Sequence, residues 1–287
     1  MSAEKKVVHV NIDCQAIAKI AQVGVRRAAL FLGLGLNGVN QPGFRDYELH
    51  KLPRGEDSAG VPPDIIARGA PDHAIERFKA EFSVWVTGCG LREMLEHYGL
   101  MLDHIHRYCL VVAQARQFMD VLGDPEKLHF EFVRRLGVPD KHDRLRKKFQ
   151  IEPEFASHID AFYSARNSLS HGLGIVRPED AAPDGALLLR WLAIEMNAHG
   201  EETNSVIPLG KLFGKVLPES VSIRVNSVKR ELSYKVGDRI ALTAQDLYEI
   251  CYFMSVRAIP RTLTAFVKFL NDQGVEGASR DGETSAS

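Results

Sequence analysis

Arg166, Asn167 and His171 bring a permanent cation, an amide and an imidazole into one six-residue stretch, Arg166-Asn-Ser-Leu-Ser-His171. On a helix Asn167 and His171 are i,i+4 and share a face. Arg166 sits beside Asn167, and its side chain is long enough to reach the same cleft. This set suits phosphoryl transfer on RNA. Imidazole exchanges a proton near neutral pH. Guanidinium binds a phosphate oxygen in bidentate fashion and offsets the charge that develops on it. The ribose 2′-hydroxyl is already an intramolecular nucleophile, so neither a Ser or Cys nucleophile nor a metal is required.

The element that must position them is a helix opened by Pro153 and running to about His171. Phe155, Ile159, Phe162, Leu169 and Leu173 recur on it at helical spacing, and the seam predicts an apolar residue where Arg166 stands. A charge on a core-facing seam is costly unless it is paired or meets an anion. The break in pattern therefore marks an expected polar pocket or interface. The plainer alternative has Arg166 paired with an acid such as Asp160 or Glu154. In that alternative Asn167 and His171 only cap the helix end, with Gly172 or Gly174 terminating it.

Arg166-Asn167-x-x-x-His171 resembles the R-x4-6-H signature of HEPN-domain ribonucleases, in which a polar residue commonly follows the Arg. The resemblance covers about 75–175 and 243–270. It implies a helical bundle with the motif helix at a homodimer interface, where two motifs form one metal-independent RNase site. Arg166 and His171 would be the catalytic pair, and Asn167 a supporting polar residue. Products would carry a 2′,3′-cyclic phosphate and a 5′-hydroxyl. Many family members are toxins or antiphage-defence effectors, so RNA and an antitoxin or defence-complex protein are the expected partners. The alternative function is a non-catalytic HEPN-like module that binds RNA or a nucleotide, or serves as an interaction subunit. The β-containing region is not part of the minimal bundle.

The expected fold is mainly α, an HEPN-like bundle with a small β-containing insertion between the last two long helices. Residues 1–6 and 271–287 read as tails with little to bury. Residues 7–70 form an N-terminal helix and a Gly/Pro-rich loop at 37–70. The bundle spans 71–175, the insertion 176–242, and a last bundle helix 243–270. In the first helix Ile17, Ile20, Val23 and Leu30 are expected to face inward. Gly88 and Gly90 are expected to interrupt a second helix before a long one with Leu91, Leu95, Leu102, Ile105, Cys109 and Val112 inside. Asp124-Pro125 starts a further helix, and 141–150 forms a short charged one. Strands are expected at 187–196 and 221–225. Alternation over 228–242 adds a hairpin turn at Val236-Gly-Asp. Thr243 and Asp246 form a capping box, and Pro260 should kink the helix that follows.

Composition narrows the class. The 287 residues carry 36 Lys+Arg against 37 Asp+Glu, with 45% apolar and 25% charged residues. That excludes collagen, rods and wholesale disorder, and argues against non-specific coating of nucleic acid. Four scattered cysteines point to free thiols in a reducing compartment. The longest apolar run, 28–36, is nine residues against the ~20 of a membrane span. No secretory signal is evident, and the expectation is a cytoplasmic protein away from the membrane.

Other candidates are weaker. Arg134, Arg135, Lys141, Arg144, Arg146, Lys147 and Lys148, against Asp140 and Asp143, could track an RNA backbone; a solvated helix face is the commoner meaning of such a run. Gly33, Gly35 and Gly38 match a dinucleotide fingerprint in letters only, and no cofactor is expected. His97, Asp103, His104 and His106 lack the spacing for a shared metal, and none is expected. Cys89 is expected to be buried and structural, and Phe78, Phe82 and Trp85 to be core.

Overall fold

A computed structural model describes residues 12–39, 71–115, 123–200, 206–208 and 220–275. The expected tail at 1–6, the greater part of the loop at 37–70 and the last residues of the expected C-terminal tail lie outside the described residues. The chain is mainly helical with one small antiparallel sheet. Helix α1 is Cys14–Val39 and α2 is Asp72–Ala115. They are followed by α3 Pro125–Arg135, α4 Val138–Phe149 and α5 Ala156–His171. Strands β1 Ala186–Gly200, β2 Val206–Pro208 and β3 Val221–Lys235 come next. Helices α6 Ala244–Phe253 and α7 Ile259–Asp272 close the chain. Among the described residues no helix is long and apolar enough to cross a membrane.

The scaffold is the antiparallel pair α1–α2. Two expectations fail here for one reason. Gly88 and Gly90 do not interrupt a helix: α2 is continuous for 44 residues. Val23 and Leu30 do not face inward, and the buried seam of α1 is Cys14, Ile17, Ala21, Val25, Ala28 and Leu32. The two helices approach so closely that the seam needs small residues. A Cβ on Gly24 would lie 2.5 Å from His97 Cβ and 2.7 Å from the Glu93 carbonyl. A Cβ on Gly90 would lie 2.9 Å from Leu247 of α6. The second half of α2 is the centre of the core, and its stripe from Leu91 to Val112 is buried as expected. Nearer its start α2 is buried along one side, where Phe82 and Val86 meet α1, and Trp85, off that side, is 64% exposed rather than core.

Local signals hold at several boundaries. The Asp124 side chain accepts from the Glu126 amide and Pro125 opens α3. Thr243 and Asp246 exchange both capping-box bonds. The kink expected at Pro260 takes the form of a π turn at Met254–Ala258, which accommodates the missing N–H and the ring's clash with the preceding turn. The expected tail begins later than 271: Asn271 and Asp272 are helical, and Val275 packs on the core.

The sheet order is β2-β1-β3. β1 pairs with β3 over their full length, from Ala186↔Lys235 to Gly200↔Val221. Both strands are longer than expected, and 221–235 is one strand. Gly237, at φ 91°, turns the chain out of the sheet, and the second arm bridges Arg239 to Ile175 instead of forming a hairpin. Leu187, Leu189, Trp191 and Ala193 point into the same core as the helices. Glu249 of α6 ties the sheet down, accepting from Trp191 Nε1 at 3.0 Å and from Arg230 at 3.4 Å.

Candidate functional site

Helix α5 packs against α2, α4 and β1. Its buried positions are Ile159, Phe162, Ala165 and Ser168. Arg166 is therefore not on the core seam. Ala165 occupies it, and Arg166 lies one position round, against α2. Leu173, past the helix end, is 84% exposed. The helix stops before Leu173, and the seam runs through Ala165 rather than position 166.

The Arg166 side chain is 18% exposed. Its Nη1 donates to Asn167 Oδ1 at 3.0 Å. The guanidinium lies 5.6 Å from the Tyr163 ring centroid. Nη2 is 3.5 Å from Glu96 Oε1, the oxygen that Arg92 Nε binds at 2.7 Å. The acids considered for Arg166 are engaged elsewhere: Asp160 with His142 and Glu154 with Arg261. Two guanidinium groups, Arg92 and Arg166, thus share one carboxylate across α2 and α5, and sequence inspection did not single out Arg92.

His171 is exposed in the last residue of α5. Gly172 ends the helix because the chain doubles back there: a Cβ would meet the Ile175 carbonyl at 2.6 Å and the Ser168 carbonyl at 2.9 Å. Asp180 fixes this return, accepting from Ser168 Oγ and from Arg177 Nε, each at 2.9 Å. Arg166 and His171 start about 140° apart around the axis and about 7.5 Å apart along it. Asn167 and His171 share a face, with Asp160 and Ser164 below them at spacings of 4, 3 and 4.

The basic run divides. Lys141 is buried, with Nζ 2.6 Å from Asp103 and 5.5 Å from the Phe132 ring centroid, so its charge is used inside the protein. Arg144 is half-buried. Arg134, Arg135, Arg146, Lys147 and Lys148 are exposed. Arg146 and Lys147 both bind Asp143, which holds that carboxyl below its ordinary range.

A second polar group was invisible in the sequence. His142 of α4 is buried. Its Nδ1 is 2.7 Å from Asp160 Oδ1 on α5, and its Nε2 is 3.0 Å from the Tyr98 hydroxyl on α2. Tyr98 is fully buried and lies 2.8 Å from Thr262 Oγ1 on α7. Burial pushes the Tyr98 phenol up. No sequence spacing announces a network whose members come from four helices.

His106 stacks on Phe132 at 3.9 Å, with Nδ1 3.3 Å from His129 Nδ1. Burial first, then His129, Arg144 and Lys141, lower it to about 3. Among the described residues no three His, Cys, Asp or Glu side chains converge as a metal site would need. All four cysteines are free. Cys89, expected inside, is exposed, and partial desolvation raises its thiol, the opposite of an activated nucleophile. Gly33, Gly35 and Gly38 lie within α1, so helix stands where a nucleotide turn would need the end of a strand.

No family model matches the chain, and no curated protein or solved structure matches it significantly.

Proposed function

We propose that this chain is a metal-independent endoribonuclease of the HEPN type, acting as a toxin or antiphage-defence effector. The observation that supports it most is the state of Arg166. The guanidinium is shielded and held by Asn167, yet the acid facing it is 3.5 Å away and shared with Arg92. A phosphate in that position would bind both cations. In this reading Arg166 holds the scissile phosphate and Asn167 sets the guanidinium plane. His171 takes the 2′-hydroxyl proton or gives one to the departing 5′-oxygen. The 2′-oxygen attacks phosphorus, leaving a 2′,3′-cyclic phosphate and a 5′-hydroxyl. Proton transfer contributes ~10²–10⁴-fold and anion stabilisation a similar factor. The angular offset of Arg166 from His171 suits a homodimer through α5, with each copy completing the other's site. The exposed cations at Arg134, Arg135 and Lys148 would carry the RNA backbone.

The Glu96 contact also favours a second reading, a non-catalytic HEPN-like module for RNA, nucleotide or a defence partner, in which Arg166 is a structural cation. Cleavage of a mixed RNA pool in EDTA, beside His171→Ala, separates them. Wild-type cleavage with cyclic phosphate ends, absent from the variant, supports the ribonuclease. RNA retention without cleavage at high protein concentration supports the binding module. Neither cleavage nor retention overturns the ribonuclease and the RNA-binding module and leaves the interaction subunit.

A further inference from the structure

We propose that the cleft between α5, the start of α4 and the start of β1 binds a small organic amine through the carboxylate of Asp160. The cleft has a volume of about 420 Å³, within the ordinary range for small-molecule sites. Pro139, Ala161, Leu187 and Leu188 give it apolar walls, and Ser164 adds a hydroxyl.

Asp160 stands at the boundary between this cleft and the core. Its side chain is 33% exposed, whereas that of His142 behind it is 5% exposed. A carboxylate only accepts, so the His142 Nδ1 facing it at 2.7 Å carries the proton and donates. The other ring nitrogen lies 3.0 Å from the Tyr98 hydroxyl. This fixes the orientation of the carboxylate from inside the protein, in the way buried partners orient the groups that touch a ligand. His142 occupies one of about four acceptor positions on the carboxylate.

The charges around the cleft select a cation. Among the described residues Asp160 pairs with no Lys or Arg. Glu179 and Asp180 pair with Arg177, and Arg190 with Glu231. Burial and Arg190 hold His158 below its ordinary value, so it adds little positive charge. An ammonium or guanidinium head completes the hydrogen bonding of Asp160, while an aliphatic body lies on Ala161, Leu187 and Leu188. An anion would meet the Asp160 carboxylate where no Lys or Arg offsets it, and is disfavoured there.

The test is calorimetric titration and ligand-observed NMR of the full chain with n-pentylamine and agmatine, using 1-pentanol as the uncharged counterpart. Saturable binding of an amine, at least tenfold tighter than the alcohol, is expected. Asp160→Asn keeps an oxygen for His142 and should weaken the amine at least tenfold. Ser164→Leu fills the cleft without touching the Asp160–His142 pair and should abolish binding. No amine binding, equal binding of amine and alcohol, or binding unchanged in both variants overturns the proposal. None of these readouts uses RNA, so the outcome is independent of the ribonuclease reading.

Discussion

The two ends of α5 carry polar groups of opposite character. At its C-terminal end Asn167 and His171 face outward, with Arg166 lying against α2. One turn and more toward its N-terminus, Asp160 anchors a chain that runs through His142 and Tyr98 to Thr262 inside the core. His171 can be altered at little cost to the fold, because it is exposed and solvent replaces what is lost, whereas Arg166, 18% exposed, is partly committed to packing. His142 and Tyr98 of the second group cannot be so altered, because either one left alone inside the core loses its partner and gains no water, while Asp160, 33% exposed, stands at its edge. Groups available to a substrate and groups that hold the helices in register thus lie on one helix, about 10 Å apart along its axis.

The contrast can be broken most directly at the motif. His171→Ala and Arg166→Ala should each lower RNA cleavage by ~10²–10⁴-fold, with thermal unfolding close to the wild type for His171→Ala and modestly lowered for Arg166→Ala, whose side chain is 18% exposed. A melting point that collapses with either variant would make the motif structural. His142→Ala should do the reverse. It leaves Asp160 and Tyr98 without their shared partner, and denaturant unfolding should show a loss of about 3 kcal/mol. A loss below about 1 kcal/mol would show that the network contributes no more than a surface pair.

The pH dependence sharpens the same division. His106 is held at about 3 in the folded protein by burial, against an ordinary value of 6.5 in the unfolded chain. The unfolded state therefore binds more protons between these values. Stability is full above pH 6.5 and falls with acidification toward pH 3, with a slope of up to about 1.4 kcal/mol per pH unit from this residue. His129 and His158, also lowered, act in the same direction. His106→Phe keeps a ring on Phe132 and should flatten the dependence of melting temperature on pH between 6.5 and 4. A curve of unchanged slope would assign the acid sensitivity to other groups. The smallest effect expected is at Glu96. Its contacts with Arg166 and Arg92 are exposed or long, so Glu96→Gln should tighten RNA binding by up to about fivefold in a filter-retention assay. Weakened RNA binding would show that Glu96 orients Arg166 rather than competing with phosphate.

Legibility in the sequence followed the range of the cause. The α2 stripe from Leu91 to Val112 was readable because large apolar side chains on one face are buried wherever that face packs. The α1 seam was not, because its decisive residues, Ala21, Gly24 and Ala28, are small, and smallness shows its purpose only once α2 lies against it. Trp85 has core-like spacing and is exposed because it lies off the side of α2 that Phe82 and Val86 turn to α1. Arg166 was placed on the seam by extending the stripe to Leu173, beyond the residue where Gly172 stops the helix.

Short-range chemistry therefore settled the helix starts at Asp124-Pro125 and Thr243, the turn at Gly237 and the grouping of Arg166, Asn167 and His171 on neighbouring turns. Each depends on bonds within a few residues, and those forces act the same way in any fold. Tertiary packing decided that Lys141 is spent on Asp103, that His142 meets Asp160 and Tyr98, that Arg92 and Arg166 share Glu96, and that a cleft opens beside Asp160. With the bond between Tyr98 and Thr262, these contacts join residues up to 164 positions apart, and the position of each partner is set by helix packing that no local spacing encodes.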